Sequence, residues 1–64
     1  MDRLNMMDER AAASVIGCSV ALLRKWRLFG EGPAYCKIGR LVRYRHEDLD
    51  AFLVAHRVET GGGR

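Results

Sequence analysis

Long apolar runs are missing from this sequence. No stretch approaches the ~20 apolar residues of a membrane-spanning helix, and no secretory pattern opens the chain. Cysteine is scarce too. Cys18 and Cys36 are the only two, too few for a disulfide-dense scaffold. The residues of zinc-ligand type, Cys18, Cys36, His46 and His56, are separated by 17, 9 and 9 residues with no C-x-x-C pair. That spacing does not describe a metal site. Length is short as well: 64 residues, where a barrel enzyme needs about 250. His46 stands beside Glu47 and Asp48, but consecutive helical residues do not converge, and so short a chain offers no buried cleft. The expectation is therefore no catalytic residue, no metal and no cofactor.

What is present is a globular composition. Hydrophobic residues make up 48% of the chain, which excludes compositional disorder. A chain near 60 residues buries only about 60% of its unfolded surface, so the core must be thin. The net charge of +3 conceals an uneven distribution. Residues 18–45 hold seven cations against one acid, while residues 1–17 and 46–64 are each slightly negative. Nine of the eleven cations are arginine, whose planar fork suits phosphate and guanine edges. A basic middle of this kind is either a solvated face or a nucleic-acid footprint.

The local signals divide the chain into a flexible N-terminus at 1–6, a domain at 7–57 and a flexible Gly-rich tail at 58–64. Asp8 is placed to cap a helix over Glu9–Ile16, with Met7 stapled onto Ala12. Ala12, Val15 and Ile16 would form its inner face. Ala11 to Ala13 allow a neighbour to approach closely. Gly17 ends this helix, and Ser19 caps a second that runs from Val20 to Phe29. Leu22, Leu23 and Trp26 share its inner side; Ala21, Arg24, Lys25 and Leu28 share the outer. Gly30 stops it, and Gly32-Pro33 prevents resumption.

Tyr35–Tyr44 alternates and reads as a hairpin. A three-residue turn, Gly39-Arg40-Leu41, would oppose Ile38 with Val42 and Cys36 with Tyr44. A two-residue Gly39-Arg40 turn would oppose Ile38 with Leu41, a poorer hydrophobic match, so the longer turn is preferred. Lys37 and Arg43 would then point away from the core, with Arg40 at the tip. A third helix starts at Arg45 or His46 without a good side-chain cap. Glu47 and Asp48 compensate in its first turn, and Leu49, Phe52, Leu53 and His56 form its apolar stripe.

Two short helices joined by Gly17-Cys18-Ser19 have the pattern of a helix-turn-helix, in which the first helix braces the second against DNA. The second helix would present Arg24 and Lys25 to the major groove, with Ala21 leaving room for approach. The arginine-tipped hairpin would serve as a wing along the backbone or in the minor groove. Trp26, by its spacing from Leu22 and Leu23, belongs to the core rather than to a base stack.

A family resemblance rests on these same residues. The segments Ala12-Ala13-Ser14-Val15-Ile16-Gly17-Cys18-Ser19, Leu23-Arg24-Lys25-Trp26-Arg27, Gly30-Glu31-Gly32-Pro33, Lys37 to Arg45 and Glu47 to Leu53 resemble the excisionase-type, MerR-like winged helix-turn-helix family. That family includes recombination directionality factors and AlpA-like prophage regulators. The resemblance covers roughly residues 6–55. It implies a mainly α fold with a small β-hairpin, ordered helix, recognition helix, two-stranded wing, helix. It implies a recognition helix at Ser19–Phe29, with Ser19, Ala21, Arg24, Lys25 and Arg27 near DNA and the wing tip at Gly39-Arg40.

Family members are non-catalytic. They bend or coat DNA beside an integrase, or they regulate transcription. This chain departs at Cys18, where valine is commoner, and at Leu28 and Phe29, where the family often carries polar residues. The expected partner is double-stranded DNA, at a cytoplasmic, nucleoid-associated location and with no membrane. Arg27, Lys37, Arg40 and Arg43 are expected on phosphates, and Arg45 either on a phosphate or neutralising Glu47 and Asp48. Leu28 and Phe29 would meet an integrase or a neighbouring copy. A small transcriptional regulator of the same fold is the nearest alternative function. A protein-interaction module whose basic face meets an acidic partner is the alternative from another class.

Overall fold

Three helices and three short strands follow one another in the computed structural model, which describes residues 6–58. Strand β1 (Met6–Met7) leads into helix α1 (Glu9–Ile16) and then α2 (Val20–Leu28). Strands β2 (Cys36–Ile38) and β3 (Leu41–Arg45) form a hairpin, and helix α3 (His46–Ala55) follows directly. The result is a small α+β domain with an antiparallel sheet ordered β1-β3-β2. Among the described residues, no helix is long and apolar enough to cross a membrane.

The helix ends are set by local chemistry. The Asp8 carboxylate accepts the Ala11 N–H at 2.9 Å, and the Ser19 hydroxyl oxygen accepts the Leu22 N–H at 3.0 Å. Each satisfies a donor that the first helical turn leaves free. Gly17 closes α1 in the left-handed conformation, donating to the Ala13 carbonyl at 2.7 Å. α1 and α2 are thus joined through three residues, Gly17 to Ser19. α3 has no side-chain cap at Arg45 and carries Glu47 and Asp48 in its first turn.

The core is small, as the length requires. Ala12, Ala13, Leu23, Tyr44 and Leu49 are buried, with Met7, Ile16, Cys18, Val20, Trp26 and Val42 packed against them. α1 is the hub, touching α2, α3, β1 and β3. Its buried pair is Ala12 and Ala13, whereas Val15, expected inside, is half exposed. The small alanine side chains let four elements crowd onto one short helix, and this tilts the inner face by one residue. The Trp26 and Phe52 rings pack at 5.4 Å and tie α2 to α3.

Two expectations for the sheet are corrected. The N-terminal segment enters it: Met6 pairs with Arg45 and Met7 with Tyr44. Two methionines carry no alternation that could announce a strand. They pair with the edge of β3 that faces away from β2, which makes β3 the central strand. The hairpin also has the shorter turn, with Ile38 opposite Leu41, Lys37 opposite Val42 and Cys36 opposite Arg43.

Gly39 adopts φ +62°, the positive angle needed at the first centre of a tight primed turn. The hydrophobic match that favoured the longer turn had little to act on. Ile38 and Leu41 are 60% and 52% exposed at the end of a hairpin that projects past the core. The register change places Cys36 and Ile38 on the sheet face opposite Val42 and Tyr44. Lys37 moves to the Val42 side, while Arg43 stays on the face away from Tyr44.

Candidate nucleic-acid interface

Cations from α2 and from the hairpin converge across the gap between them. One open cleft is lined by Arg10, Arg24, Arg27, Arg40 and Arg43, together with Asp8 and Glu9. A neighbouring cleft is lined by Arg24, Arg27, Lys37 and Arg40, with Leu28 and Tyr35. Arg24, Arg27 and Arg40 border both, so the two clefts form one basic surface. Helix α2 supplies its first wall through the Ser19 cap, which starts the helix in the phase that buries Leu23 and turns Arg24 outward. The tight Gly39-Arg40 turn supplies the second wall.

The arginines on this surface are not equivalent. Arg24 is 64% exposed and Arg27 only 18%. Arg24 donates from Nε and Nη2 to the Glu9 carboxylate, at 3.2 and 2.5 Å. Arg27 donates from Nη2 to the other Glu9 oxygen at 3.1 Å and from Nη1 to the Tyr44 hydroxyl at 2.8 Å. Its guanidinium also lies 5.7 Å from the centre of the Tyr35 ring. Arg27 is therefore a brace between α1, α2 and β3, and with its side chain only 18% exposed it offers little surface to a phosphate.

The electrostatics follow this geometry. Hydrogen bonds from Arg24 hold the Glu9 carboxyl below its ordinary pKa; burial opposes this, and Arg27 adds to the lowering. Burial works against the Arg27 charge, yet the Tyr44 hydroxyl and Glu9 more than offset it, and its pKa is raised. The Arg24 pKa is raised by the hydrogen bonds to Glu9.

The structure brings together Arg24, Arg27, Lys37, Arg40 and Arg43 from the residues singled out in the sequence. Ala21 and Lys25 are exposed on α2 but line neither cleft, and the Ser19 oxygen is occupied in capping. Arg45 faces its own acids, with Nη1 at 3.3 Å from Glu47 and Nε at 3.2 Å from Asp48. Leu28 is 78% exposed on the cleft wall, and Phe29, 63% exposed, caps α2. Among the described residues, no three His, Cys, Asp or Glu side chains gather where a metal could sit. Cys18 and Cys36 are free thiols.

Two site residues escaped the sequence reading. Glu9 was read only as part of the first helix, and Arg10 as part of an acidic-leaning flank. The role of Glu9 depends on contacts 15 and 18 residues away, for which no local periodicity exists, and Arg10 reaches the cleft only because α1 packs beside β3. No protein-family model matches the chain, and no curated protein matches it significantly.

Proposed function

We propose that this protein is a non-catalytic, sequence-specific binder of double-stranded DNA with a winged helix-turn-helix architecture. The observation that carries this reading is the basic surface shared by α2 and the hairpin, with Arg24, Arg27 and Arg40 common to both clefts. A helix wall and a hairpin tip carrying the same charge suit a duplex, where one enters the major groove and the other follows the backbone. Arg24 and Lys25 approach base edges, and the exposed Leu28 and Phe29 are left for an integrase or a neighbouring copy. Lys37, Arg40 and Arg43 hold phosphates. Arg27 serves as the brace that keeps helix and sheet in register.

The resemblance of residues 6–55 to excisionases makes attachment-site DNA the first target to examine, and an integrase the first protein partner. On that reading the protein bends or coats an attachment-site arm and favours excision. One such module buries roughly 600–1,000 Å², which gives modest affinity per copy and favours repeated sites.

A salt-titrated mobility shift tests the proposal, comparing DNA flanking the protein's own gene with random duplex. The phosphate contacts of Lys37, Arg40 and Arg43 predict a slope of about −2.7 in log affinity against log salt, at ~0.9 per phosphate. Arg24→Ala is expected to lower affinity for the specific site and to relax base preference. Loss of all binding at ~0.1 M salt, with retention on an acidic protein partner, would instead favour a protein-interaction module.

A further inference from the structure

We propose that Glu9 is a specificity-determining positioning residue, which grips one edge of the Arg24 guanidinium and leaves the other edge outward for bidentate readout of guanine. This inference rests on the DNA-binding reading above and names the base that the same surface recognises.

A guanidinium has two edges that can donate in pairs. One is formed by Nε and Nη2, the other by Nη1 and Nη2. Glu9 occupies the first, accepting from Nε at 3.2 Å and from Nη2 at 2.5 Å. The second edge remains on a side chain that is mostly exposed. That edge matches the O6 and N7 acceptors which guanine presents in the major groove.

The grip is itself anchored. The other Glu9 oxygen accepts from Arg27 Nη2 at 3.1 Å, and Arg27 Nη1 donates to the hydroxyl of fully buried Tyr44 at 2.8 Å. A continuous chain of hydrogen bonds thus runs from the core through Arg27 and Glu9 to Arg24. An unheld arginine would lose much rotamer freedom on docking against a base. Here much of that loss occurs on folding, which is what preorganisation means for a recognition side chain.

The choice of a carboxylate has a second consequence. A negative group beside a phosphate-binding surface weakens attraction to any duplex. Glu9 therefore trades general affinity for discrimination, since specificity is a difference between affinities.

The test is selection from a random duplex pool by the wild-type protein, Glu9→Gln, Glu9→Asp and Arg24→Ala, with unfolding curves recorded for each. The wild type is expected to select at least one guanine that Arg24→Ala no longer selects. Glu9→Gln should relax that position while binding unselected duplex several-fold more tightly. Glu9→Asp, which keeps the charge but shortens the reach, should relax the position without the gain in general affinity.

Replacing the selected guanine by 7-deazaguanine removes the N7 acceptor and needs only the wild-type protein. Wild-type affinity should fall several-fold, because O6 still accepts and only part of the roughly 5- to 150-fold worth of a bidentate contact is lost. Retention of the same guanine preference by well-folded Glu9→Gln would overturn the proposal, as would indifference of the wild type to 7-deazaguanine. Failure of the wild type to hold any duplex would overturn the DNA-binding reading, and this proposal with it.

Discussion

Tyr44 does two jobs that its neighbours divide among them. Its ring fills the centre of a thin core, and its hydroxyl accepts from Arg27 at that core's edge. Tyr44→Phe keeps the ring and removes the acceptor, leaving a largely buried guanidinium with one partner fewer. The expected cost is about 1–2 kcal/mol, given that hydrogen bonds to charged groups are the stronger class; urea unfolding monitored by circular dichroism measures it. The same variant should weaken sequence discrimination, because Arg27 no longer steadies Glu9. The sequence marked Tyr44 as a core residue through its place in the alternating segment. Nothing in that alternation could show that Arg27, 17 residues earlier, would turn inward to meet it. Arg24 and Arg27 are three apart, and helical spacing alone leaves them looking alike. Their difference comes from what stands opposite each: Glu9 and solvent for Arg24, Glu9 and the Tyr44 hydroxyl on β3 for Arg27.

At the scale of elements, the caps were legible and the hairpin register was not. Asp8, Gly17 and Ser19 act within three or four residues of themselves, so their chemistry can be read from the chain alone. The hairpin depends on whether a hydrophobic pair lies over the core, which is a question about the packing of α1 and α2. Two glycines test the resulting geometry. Gly39→Ala places a side chain at φ +62° with open space around it, so the cost is the left-handed backbone alone, about 1–2 kcal/mol. Gly32→Ala meets the same backbone penalty at φ +83° and also sets a Cβ 2.9 Å from the Trp26 Cβ. Overpacking of that kind adds about 1–3 kcal/mol, so Gly32→Ala should be the more destabilising of the two. Thermal unfolding orders the pair. A shift in Trp26 fluorescence is expected for Gly32→Ala and not for Gly39→Ala.

The whole molecule is held by few buried side chains, so its stability is sensitive to the ionic bracket between α1 and α2. Glu9 has a pKa below its unfolded value because of Arg24 and then Arg27. Its contribution is present above the ordinary carboxylate range and is lost as pH falls through the lowered folded-state value. Glu9→Gln should therefore show a shallower acid limb in a plot of unfolding free energy against pH, measured from pH 6 downward. On long DNA, Leu28 and Phe29 provide a further test at this scale. The double variant Leu28→Ser, Phe29→Ser should bind single sites with little change yet lose cooperative binding to multi-site DNA. Equal cooperativity in wild type and variant would exclude that apolar pair as a contact between copies. By itself, the sequence determined the helix positions, their caps, the thin core and the concentration of positive charge in the middle of the chain. Each of these follows from composition or from contacts a few residues long. Tertiary structure alone decided the third strand, the hairpin register, the inward turn of Arg27 and the alliance of Glu9 with Arg24. Each of those depends on which distant backbone or side chain supplies the partner, and only packing settles that.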